Sequence, residues 1–289
     1  MFTIENSHLS VTISAKGAEL QQLYNKVLQL DYLWDANPAF WAKHAPVLFP
    51  IVGELKEGRY YYNNQAYKLG RHGFAREMDF AVTAQSPTSI SFLLESSPAT
   101  QAKYPFDFKF EVKYELSENS LKTTYRVSNT GKDAMYFSVG GHPAFRIPLT
   151  ADTSYEDYYL EFNHPEHAGR WPISKEGLIE EKPVELLNQT DRLPLSKALF
   201  AKDALVFKGL ASNSVALKSD KHNHGLLFDF TGFPYLGIWA AKDADFVCIE
   251  PWCGIADSVN SKQQLVHKEG IQVLQPAKNF ARSWSVTLF

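Results

Sequence analysis

The chain has 289 residues, of which 45% are hydrophobic and 14% aromatic, enough to bury a sizeable core. Its net charge is −3 and its pI is about 6.3, and the basic residues are spread along the chain rather than gathered into the stripe that a phosphate backbone requires. This composition argues against nucleic acid as a partner.

The N-terminal residues carry no basic segment followed by a long apolar run, so we expect no secretory signal. No apolar run approaches the roughly 20 residues of a membrane span. The two cysteines, Cys248 and Cys253, have no second CxxC pair to form a zinc cluster and are expected to be free thiols. These observations predict a soluble cytoplasmic protein with no membrane partner.

Apolar and polar residues alternate in several segments, which is the period of a half-buried strand. In chain order the segments are "LSVTIS" (9–14), "SISFLLES" (89–96), "FDFKFEVKYEL" (106–116), "LKTTYRVSN" (121–129) and "SWSVTLF" (283–289). The turn sequence "SENS" joins the third segment to the fourth and predicts a hairpin.

Helical signals are few. The segment "NPAFWAKHA" predicts a short helix capped by Asn37, and a second candidate lies in "TDRLPLSKALF" (190–200). The stretch from Ile147 to Leu195 is irregular and is expected to form long loops. Many short strands with few helices predict an all-β sandwich or barrel, which we expect to form a single domain over residues 1–289.

Three short motifs carry residues capable of acid–base chemistry. They are "GRHGFAR" (70–76), "VGGHPAF" (139–145) and "FVCIEPWCGIAD" (246–257). His72, His142 and Glu250 each lie beside Gly or Pro, where we expect a strand to meet a bend. Glycine permits close approach of a ligand, and proline fixes the chain after His142 and after Glu250.

Each of these residues also has a purely structural interpretation. A histidine beside glycine is commonly a turn residue with a satisfied hydrogen bond, and Glu250 can simply end a strand. Asp203 precedes the apolar segment "ALVF" and can serve as a strand cap. Trp239 can stack on a sugar face or pack in the core.

Taken together, these motifs resemble the aldose 1-epimerase (mutarotase) family, in particular its LacX-like branch. The resemblance extends from "TISAKGAELQQL" through the three motifs to "FVCIEPWCGIAD", in the family's order. It implies a large antiparallel β-sandwich with a sugar-binding cleft on a concave face. It also implies interconversion of the α and β anomers of an aldose without a cofactor or a metal.

By motif, the resemblance assigns Glu250 as the general base and His142 as the general acid. His72 matches the second histidine, which hydrogen-bonds the sugar near the reacting atoms. Asp203 matches a sugar-binding aspartate. The remaining predicted substrate-binding residues are Arg71, Arg76 and Trp239.

The sequence departs from the galactose mutarotases at one place. Where those proteins carry an Asn-Arg pair upstream of the first histidine, this chain has Gly53 and Glu54. Arg71 and Arg76 flank His72 instead, and "HGFAR" is similar to the hexose-6-phosphate mutarotases, where arginines hold the phosphate. The predicted substrate is therefore a hexose or a hexose 6-phosphate.

Anomer exchange opens a cyclic hemiacetal, so the anomeric hydroxyl loses a proton while the ring oxygen gains one. A carboxylate and an imidazole on opposite sides of the reacting centre can perform both transfers, each contributing about 10²–10⁴-fold. We expect His142 to be protonated and Glu250 ionised in the substrate-ready form, because opposite charges favour each other.

Two other functions fit the same residues. A carbohydrate-binding protein without turnover can share the fold, because fold does not fix function. A metalloenzyme can use His72, His142 and Glu250 as three ligands, although they lie far apart along the chain. Edge strands also offer a route to a homodimer.

Overall fold

The computed structural model describes residues 1–289 and consists almost entirely of β-strands. The strands are β1 (Phe2–Glu5), β2 (Leu9–Ile13), β3 (Leu20–Asn25), β4 (Leu30–Asp31), β5 (Val47–Leu48), β6 (Arg59–Tyr62), β7 (Gln65–Lys68), β8 (Ala81–Ser86), β9 (Ser89–Glu95), β10 (Phe108–Ser117), β11 (Ser120–Asn129), β12 (Met135–Phe137), β13 (Val139–Gly141), β14 (Ala144–Arg146), β15 (Tyr158–Arg170), β16 (Val184–Pro194), β17 (Leu205–Lys208), β18 (Ser214–Ser219), β19 (Leu226–Asp229), β20 (Tyr235–Trp239), β21 (Phe246–Cys253), β22 (Gln272–Leu274) and β23 (Asn279–Leu288).

Helical structure is limited to single turns. One α-helical turn, α1, spans Pro98–Gln101, and 3₁₀ turns occur at Lys56–Gly58, Ala75–Glu77, Tyr155–Asp157, Lys197–Phe200 and Leu265–His267. None of these helices has the length and apolar character needed to cross a membrane.

Two large antiparallel sheets form the body of the protein. The first has nine strands in the order β16-β15-β18-β19-β23-β11-β10-β9-β8. The second has six strands, with β17-β20-β21-β13-β5 in order and β14 paired to β21 beyond β13. A four-stranded sheet, β1-β2-β3-β4, and two small strand pairs complete the fold. The predicted antiparallel β-sandwich is confirmed, whereas a single domain over residues 1–289 stays a prediction.

The predicted hairpin is present as β10 and β11, paired in register from Phe108 opposite Asn129 to Ser117 opposite Ser120. Every second residue of β10 is buried, as the alternation of the sequence predicts. The buried aromatic and aliphatic side chains of this hairpin form one wall of the core.

The main core lies between the two large sheets. Phe49, which follows β5, packs against Phe108 and Phe110 of β10 with ring centroids 5.0 and 4.5 Å apart. Phe145 of β14 packs against Phe228 of β19 at 5.8 Å. Full burial of such a side chain stabilises the fold by roughly 1.5–3 kcal/mol. One face of the six-stranded sheet therefore packs against the nine-stranded sheet. Its other face does not form this core and can carry polar groups.

Two predictions of local structure are wrong. The segment after Asn37 forms a turn, in which the amides of Phe40 and Trp41 both donate to the Asn37 carbonyl, and not a helix. The stretch from Ile147 to Leu195 contains β15 and β16, one of the longest strand pairs, instead of only loops. Three register shifts between these two strands break the two-residue period that reveals strands in a sequence. The second helix candidate forms only the 3₁₀ turn Lys197–Phe200.

Candidate active site

Strand β21 crosses the six-stranded sheet and buries all eight of its residues. The sequence placed Glu250 where a strand meets a bend, which is wrong, because the strand continues through Glu250 and Pro251 to Cys253. Its two neighbours on one side, β14 and β13, are separated by His142 and Pro143. The amide of Ile249 donates to the Pro143 carbonyl, and the missing amide of Pro251 falls at this break.

The pairing register places His142 directly opposite Glu250. Gly140 pairs with Trp252 and Ala144 pairs with Cys248, so the same register continues across the break. Residues opposite one another share a face of the sheet, and His142 Nε2 lies 3.3 Å from Glu250 Oε2. The two groups therefore lie side by side. The sequence hypothesis placed them on opposite sides of the reacting centre.

The other neighbour of β21 places no side chain of its own over Glu250. Gly237 of β20 lies opposite Glu250 and has no side chain to place over it. Glu250 is 2% exposed and His142 is 8% exposed, yet Glu250 Oε2 and His142 Nδ1 have no hydrogen-bond partner. Buried polar atoms are normally paired, so these two have hydrogen-bonding capacity that the protein itself leaves unsatisfied.

Burial sets the protonation of this pair. Desolvation raises the pKa of the Glu250 carboxyl well above its usual range, and the negative charge of Asp203 adds to the effect. Desolvation lowers the pKa of His142 to about 3, with Arg76 and Arg71 contributing as nearby positive charges. Burial therefore favours the neutral form of both groups, because burying two charges costs more than their attraction returns. The imidazolium–carboxylate pair expected for the substrate-ready form stays a prediction.

His72 lies in a tight turn that fixes its ring. It has a positive φ of 66°, and Gly73 follows with φ 75°, where a Cβ would collide with the carbonyl of Phe49. The His72 amide donates to the Gly53 carbonyl at 2.9 Å, and the Gly53 amide donates to His72 Nδ1 at 3.1 Å. Since Nδ1 accepts, the neutral ring carries its proton on Nε2. Burial lowers the pKa of His72 well below its usual value, and the His142 ring lies 5.6 Å away.

The two predicted arginines lie next to each other. Arg76 donates from Nη2 to the Arg71 carbonyl at 3.0 Å, and its buried Nε has no hydrogen-bond partner but lies 3.7 Å from Glu77 Oε1. Arg71 Nε donates to Glu54 Oε2 at 3.3 Å. On its other side the Arg71 guanidinium packs against Gly177, so closely that a Cβ at Gly177 would collide with it. Glu54 and Gly177 together hold Arg71, which the sequence did not indicate.

Aromatic rings surround the imidazole of His142. Trp41 stacks on it with centroids 4.9 Å apart, and Trp239 meets it edge-on at 5.6 Å. Trp252 lies across Gly140 and Gly237, where a Cβ on either glycine would overlap its indole. Flat apolar surfaces of this kind suit the C–H faces of a sugar ring.

These groups share one cavity of about 790 Å³. All seven sequence-predicted site residues line it: Arg71, Arg76, His72, His142, Asp203, Trp239 and Glu250. The lining also includes residues that the sequence reading did not assign to the site, among them Trp41, Glu54, Lys175, Gly177, Lys202 and Lys242. Asp203 lies two residues before β17, as predicted, and its Oδ1 accepts from the Ala204 amide at 2.7 Å.

One group of potential metal ligands lies at the base of the cavity. The ligand atoms of His142, Cys248 and Glu250 lie within 4.8 Å of one another. His72 is not part of this group, so the three ligands that the metalloenzyme hypothesis named are not the three whose ligand atoms lie within 4.8 Å of one another. Both cysteines are free and buried, as expected.

The antiparallel β-sandwich, with a buried histidine–glutamate pair in an aromatic pocket, agrees with the fold that the sequence resemblance implies. Comparison with known proteins identifies the family. The aldose 1-epimerase family model matches residues 1–276. Two curated relatives, the plasmid and chromosomal LacX proteins of Lactococcus lactis subsp. lactis, are each 32% identical over 99% of this chain and 98% of their own length.

Solved structures agree. A galactose mutarotase related enzyme from Lactobacillus acidophilus matches with a TM-score of 0.95 at 38% identity, over 100% of this chain and 97% of that one. A galactose mutarotase-like protein from Lactobacillus casei ATCC 334 matches with a TM-score of 0.91 at 32% identity, over 100% of both chains. The chain belongs to the aldose 1-epimerase family.

Proposed function

We propose that the protein is an aldose 1-epimerase that interconverts the α and β anomers of a hexose or a hexose 6-phosphate. The observation that carries this proposal is the cross-strand pair of His142 and Glu250, 3.3 Å apart at the base of the cavity. The anomeric oxygen and the ring oxygen are bonded to the same carbon. Two adjacent proton-transfer groups therefore match two adjacent oxygens.

The pair needs one mobile proton, which the neutral form already contains. Transfer of that proton from Glu250 to His142 gives a carboxylate and an imidazolium without changing the net charge of the pocket. Hydroxyl groups of a bound sugar stabilise this form by hydrogen-bonding the carboxylate oxygen that has no partner in the structure. Substrate binding thus favours the charge arrangement that the chemistry uses.

Ring opening then proceeds by two transfers. Glu250 accepts the proton of the anomeric hydroxyl while His142 donates one to the ring oxygen, and the bond between the anomeric carbon and the ring oxygen breaks. Rotation about the bond between the aldehyde carbon and its neighbour presents the other carbonyl face. Closure reverses both transfers and gives the other anomer, so neither proton is gained or lost overall.

The remaining residues bind the sugar in this proposal. His72 donates from Nε2 to an oxygen near the reacting centre, because its Nδ1 is occupied by the Gly53 amide. Asp203 accepts from sugar hydroxyls, and Trp239 covers a face of the ring. Arg71 and Arg76 supply positive charge for a phosphate or hydrogen bonds for a hydroxyl.

The alternative is a protein of this family that binds a carbohydrate without turnover. Binding alone requires no acid–base pair, and a buried carboxyl group without a hydrogen-bond partner destabilises the fold. The unpartnered, buried carboxyl oxygen of Glu250 therefore favours the catalytic function.

A polarimetric assay tests the proposal. Freshly dissolved α-glucose, α-galactose and their 6-phosphates are followed with and without protein, and we expect faster mutarotation of at least one of them. The substitution Arg71→Met separates the substrates, because it should raise the KM of a phosphorylated sugar more than that of a free sugar. Binding of these sugars without any acceleration would favour the carbohydrate-binding alternative.

A further inference from the structure

A thiol lies beside the proposed catalytic pair and takes no part in the proposed reaction. Cys248 precedes Glu250 by two residues on β21, so both side chains point to the same face of the sheet. The second thiol, Cys253, is an odd number of residues from Glu250 and belongs to the opposite face, where its Sγ lies 4.0 Å from the Gly232 carbonyl oxygen. Only Cys248 can reach the pair.

Cys248 Sγ, a ring nitrogen of His142 and a carboxyl oxygen of Glu250 all lie within 4.8 Å of one another. Thiolate, imidazole and carboxylate are the three side-chain ligands that zinc takes in proteins. The observation that points independently to a ligand is Glu250 Oε2, which belongs to a side chain only 2% exposed and has no hydrogen-bond partner.

The distances between these three atoms are close to those between the ligand atoms of a tetrahedral metal ion. Metal–ligand bonds of about 2.0–2.3 Å place neighbouring ligand atoms roughly 3.3–3.8 Å apart. His142 Nε2 and Glu250 Oε2 are already 3.3 Å apart. The sulfur must approach by on the order of 1 Å, which rotation of the cysteine side chain can provide. The fourth coordination position would face the cavity that His142 and Glu250 line.

Charge balance also favours a divalent cation. Binding displaces one proton from the thiol and one from the carboxyl group, and both leave to solvent. The ion brings two positive charges in their place, so the net charge of the buried site is unchanged. The ion therefore adds no net charge to the low-dielectric interior, where an isolated charge would be costly.

We propose that His142, Cys248 and Glu250 form a binding site for a zinc-like divalent cation, and that occupation of this site blocks the proposed catalytic pair. The sulfur ligand selects zinc, cobalt or cadmium over magnesium and calcium, which prefer oxygen. Metal binding itself does not depend on the proposed epimerase activity. Inhibition does, and the two are measured separately.

Cobalt(II) is the probe, because a thiolate–cobalt bond gives a charge-transfer absorption in the near ultraviolet that histidine and carboxylate ligands do not give. The metal-free protein is titrated with cobalt(II), and zinc is then added in competition. We expect one cobalt per chain, the thiolate absorption, and its loss when zinc replaces cobalt.

The matched variants are Cys248→Ala and Cys253→Ala, which each remove one buried thiol from β21. Cys248→Ala should lose the thiolate absorption and weaken zinc binding by on the order of 100-fold, whereas Cys253→Ala should keep both. Cys248→Ala should also retain the mutarotation rate while losing its inhibition by zinc.

A third variant keeps the test decisive if Cys248→Ala does not fold. Glu250→Gln leaves the thiol in place and should weaken cobalt binding by at least about 10-fold. No thiolate absorption in the unsubstituted protein, or an absorption that survives Cys248→Ala or disappears in Cys253→Ala, would overturn the proposal. If metal binds as predicted but no sugar is epimerised, the metal site stands and the proposed function fails.

Discussion

The protein buries two pairs of oppositely ionisable side chains, and their surroundings differ. Asp257 and Lys268 are 4% and 7% exposed, and Lys268 Nζ donates to Asp257 Oδ1 at 2.8 Å. The second aspartate oxygen accepts from the Lys56 amide at 3.0 Å. His142 and Glu250 are buried to a similar degree, yet one nitrogen and one oxygen of that pair have no hydrogen-bond partner.

The difference indicates what each pair contributes. The Asp257–Lys268 pair has its hydrogen bonds within the protein and fixes a loop, since the Asp257 amide also donates to the Glu54 carbonyl at 2.8 Å. That loop positions Gly53, whose amide holds His72. The His142–Glu250 pair leaves hydrogen-bonding capacity for another molecule. Burial alone therefore does not distinguish the two pairs, whereas the completeness of their hydrogen bonding does.

The largest effect should come from replacing Glu250 in the His142–Glu250 pair, which lacks two of its hydrogen bonds. Glu250→Gln should lower kcat by about 10²–10⁴-fold, because one positioned proton transfer is lost. It should not lower the thermal stability. The folded-state pKa of Glu250 lies above its unfolded value of 4.5, so above pH 4.5 folding requires the uptake of a proton that glutamine does not need. Polarimetry and thermal unfolding at pH 7 measure the two quantities.

The control for this variant is Glu180→Gln, a carboxylate outside the cavity lining, which should leave both quantities unchanged. Near-full activity in Glu250→Gln would remove Glu250 from the mechanism.

Substitution in the Asp257–Lys268 pair should have the opposite effect on stability and lower it. Lys268→Met leaves the Asp257 carboxylate buried without its cation and should lower the free energy of unfolding by about 3–5 kcal/mol. Lys262→Met changes an exposed lysine of the same segment and should stay within about 0.5 kcal/mol. Chemical denaturation measures both. A loss as small in Lys268→Met as in Lys262→Met would show that the two buried pairs do not differ as described.

Gly237→Ala tests the space that Gly237 leaves for the Trp252 indole beside the His142–Glu250 pair. The new methyl group would lie 2.5 Å from the Trp252 ring, beside the Glu250 carboxyl group, so the indole must move. Overpacking of this kind lowers the free energy of unfolding by typically about 1–3 kcal/mol, and a displaced Trp252 should raise the KM for the sugar. Gly70→Ala is the control, because nothing lies within 4 Å of its position. Equal KM values in the two variants would contradict this explanation.

The smallest effect concerns acid pH. Burial lowers the pKa of His142 to about 3, so the pair should not gain a second proton between pH 6.5 and 5, and kcat/KM should change less than about twofold there. A histidine with the ordinary pKa of about 6.5 would lose activity roughly tenfold per pH unit. A pH–rate profile with an acid midpoint near 6.5 would contradict the lowered pKa of His142.

Stability must be followed in the same pH series. His72 and His142 have folded-state pKa values below their unfolded value of 6.5, so the unfolded chain takes up two protons first as the pH falls below 6.5, against the one proton that Glu250 takes up on folding above pH 4.5. The free energy of unfolding should therefore decrease on the acid side. Circular dichroism at each pH separates this loss from a change in catalysis.

The sequence was most informative where a local pattern determines the structure. Regular alternation predicted β10 and β11 with the correct face buried. Histidine and glutamate beside glycine or proline predicted three side chains that the fold does bring together around one cavity. Their roles stay predictions until the variants are measured.

Features created by packing between distant segments could not be predicted. Trp41 lies 101 residues from His142 in the sequence, and only the completed fold stacks the two rings. Gly177 acts by leaving space for Arg71, which no pattern of residues reveals. The neutral state of the His142–Glu250 pair follows from its burial, and burial depends on the whole sheet.

The pairing of β13 and β14 with β21 has a consequence for how such a protein can be altered. His142 faces Glu250 only because the two strands keep one register, and inserting or deleting a single residue in either would turn one of the two side chains to the opposite face. The segments around Gly177 and Asp203, which form other walls of the cavity, lie outside the named strands. A redesign of the cavity can therefore vary these segments, provided that Gly177 is kept beside Arg71, while leaving the length of the paired strands untouched.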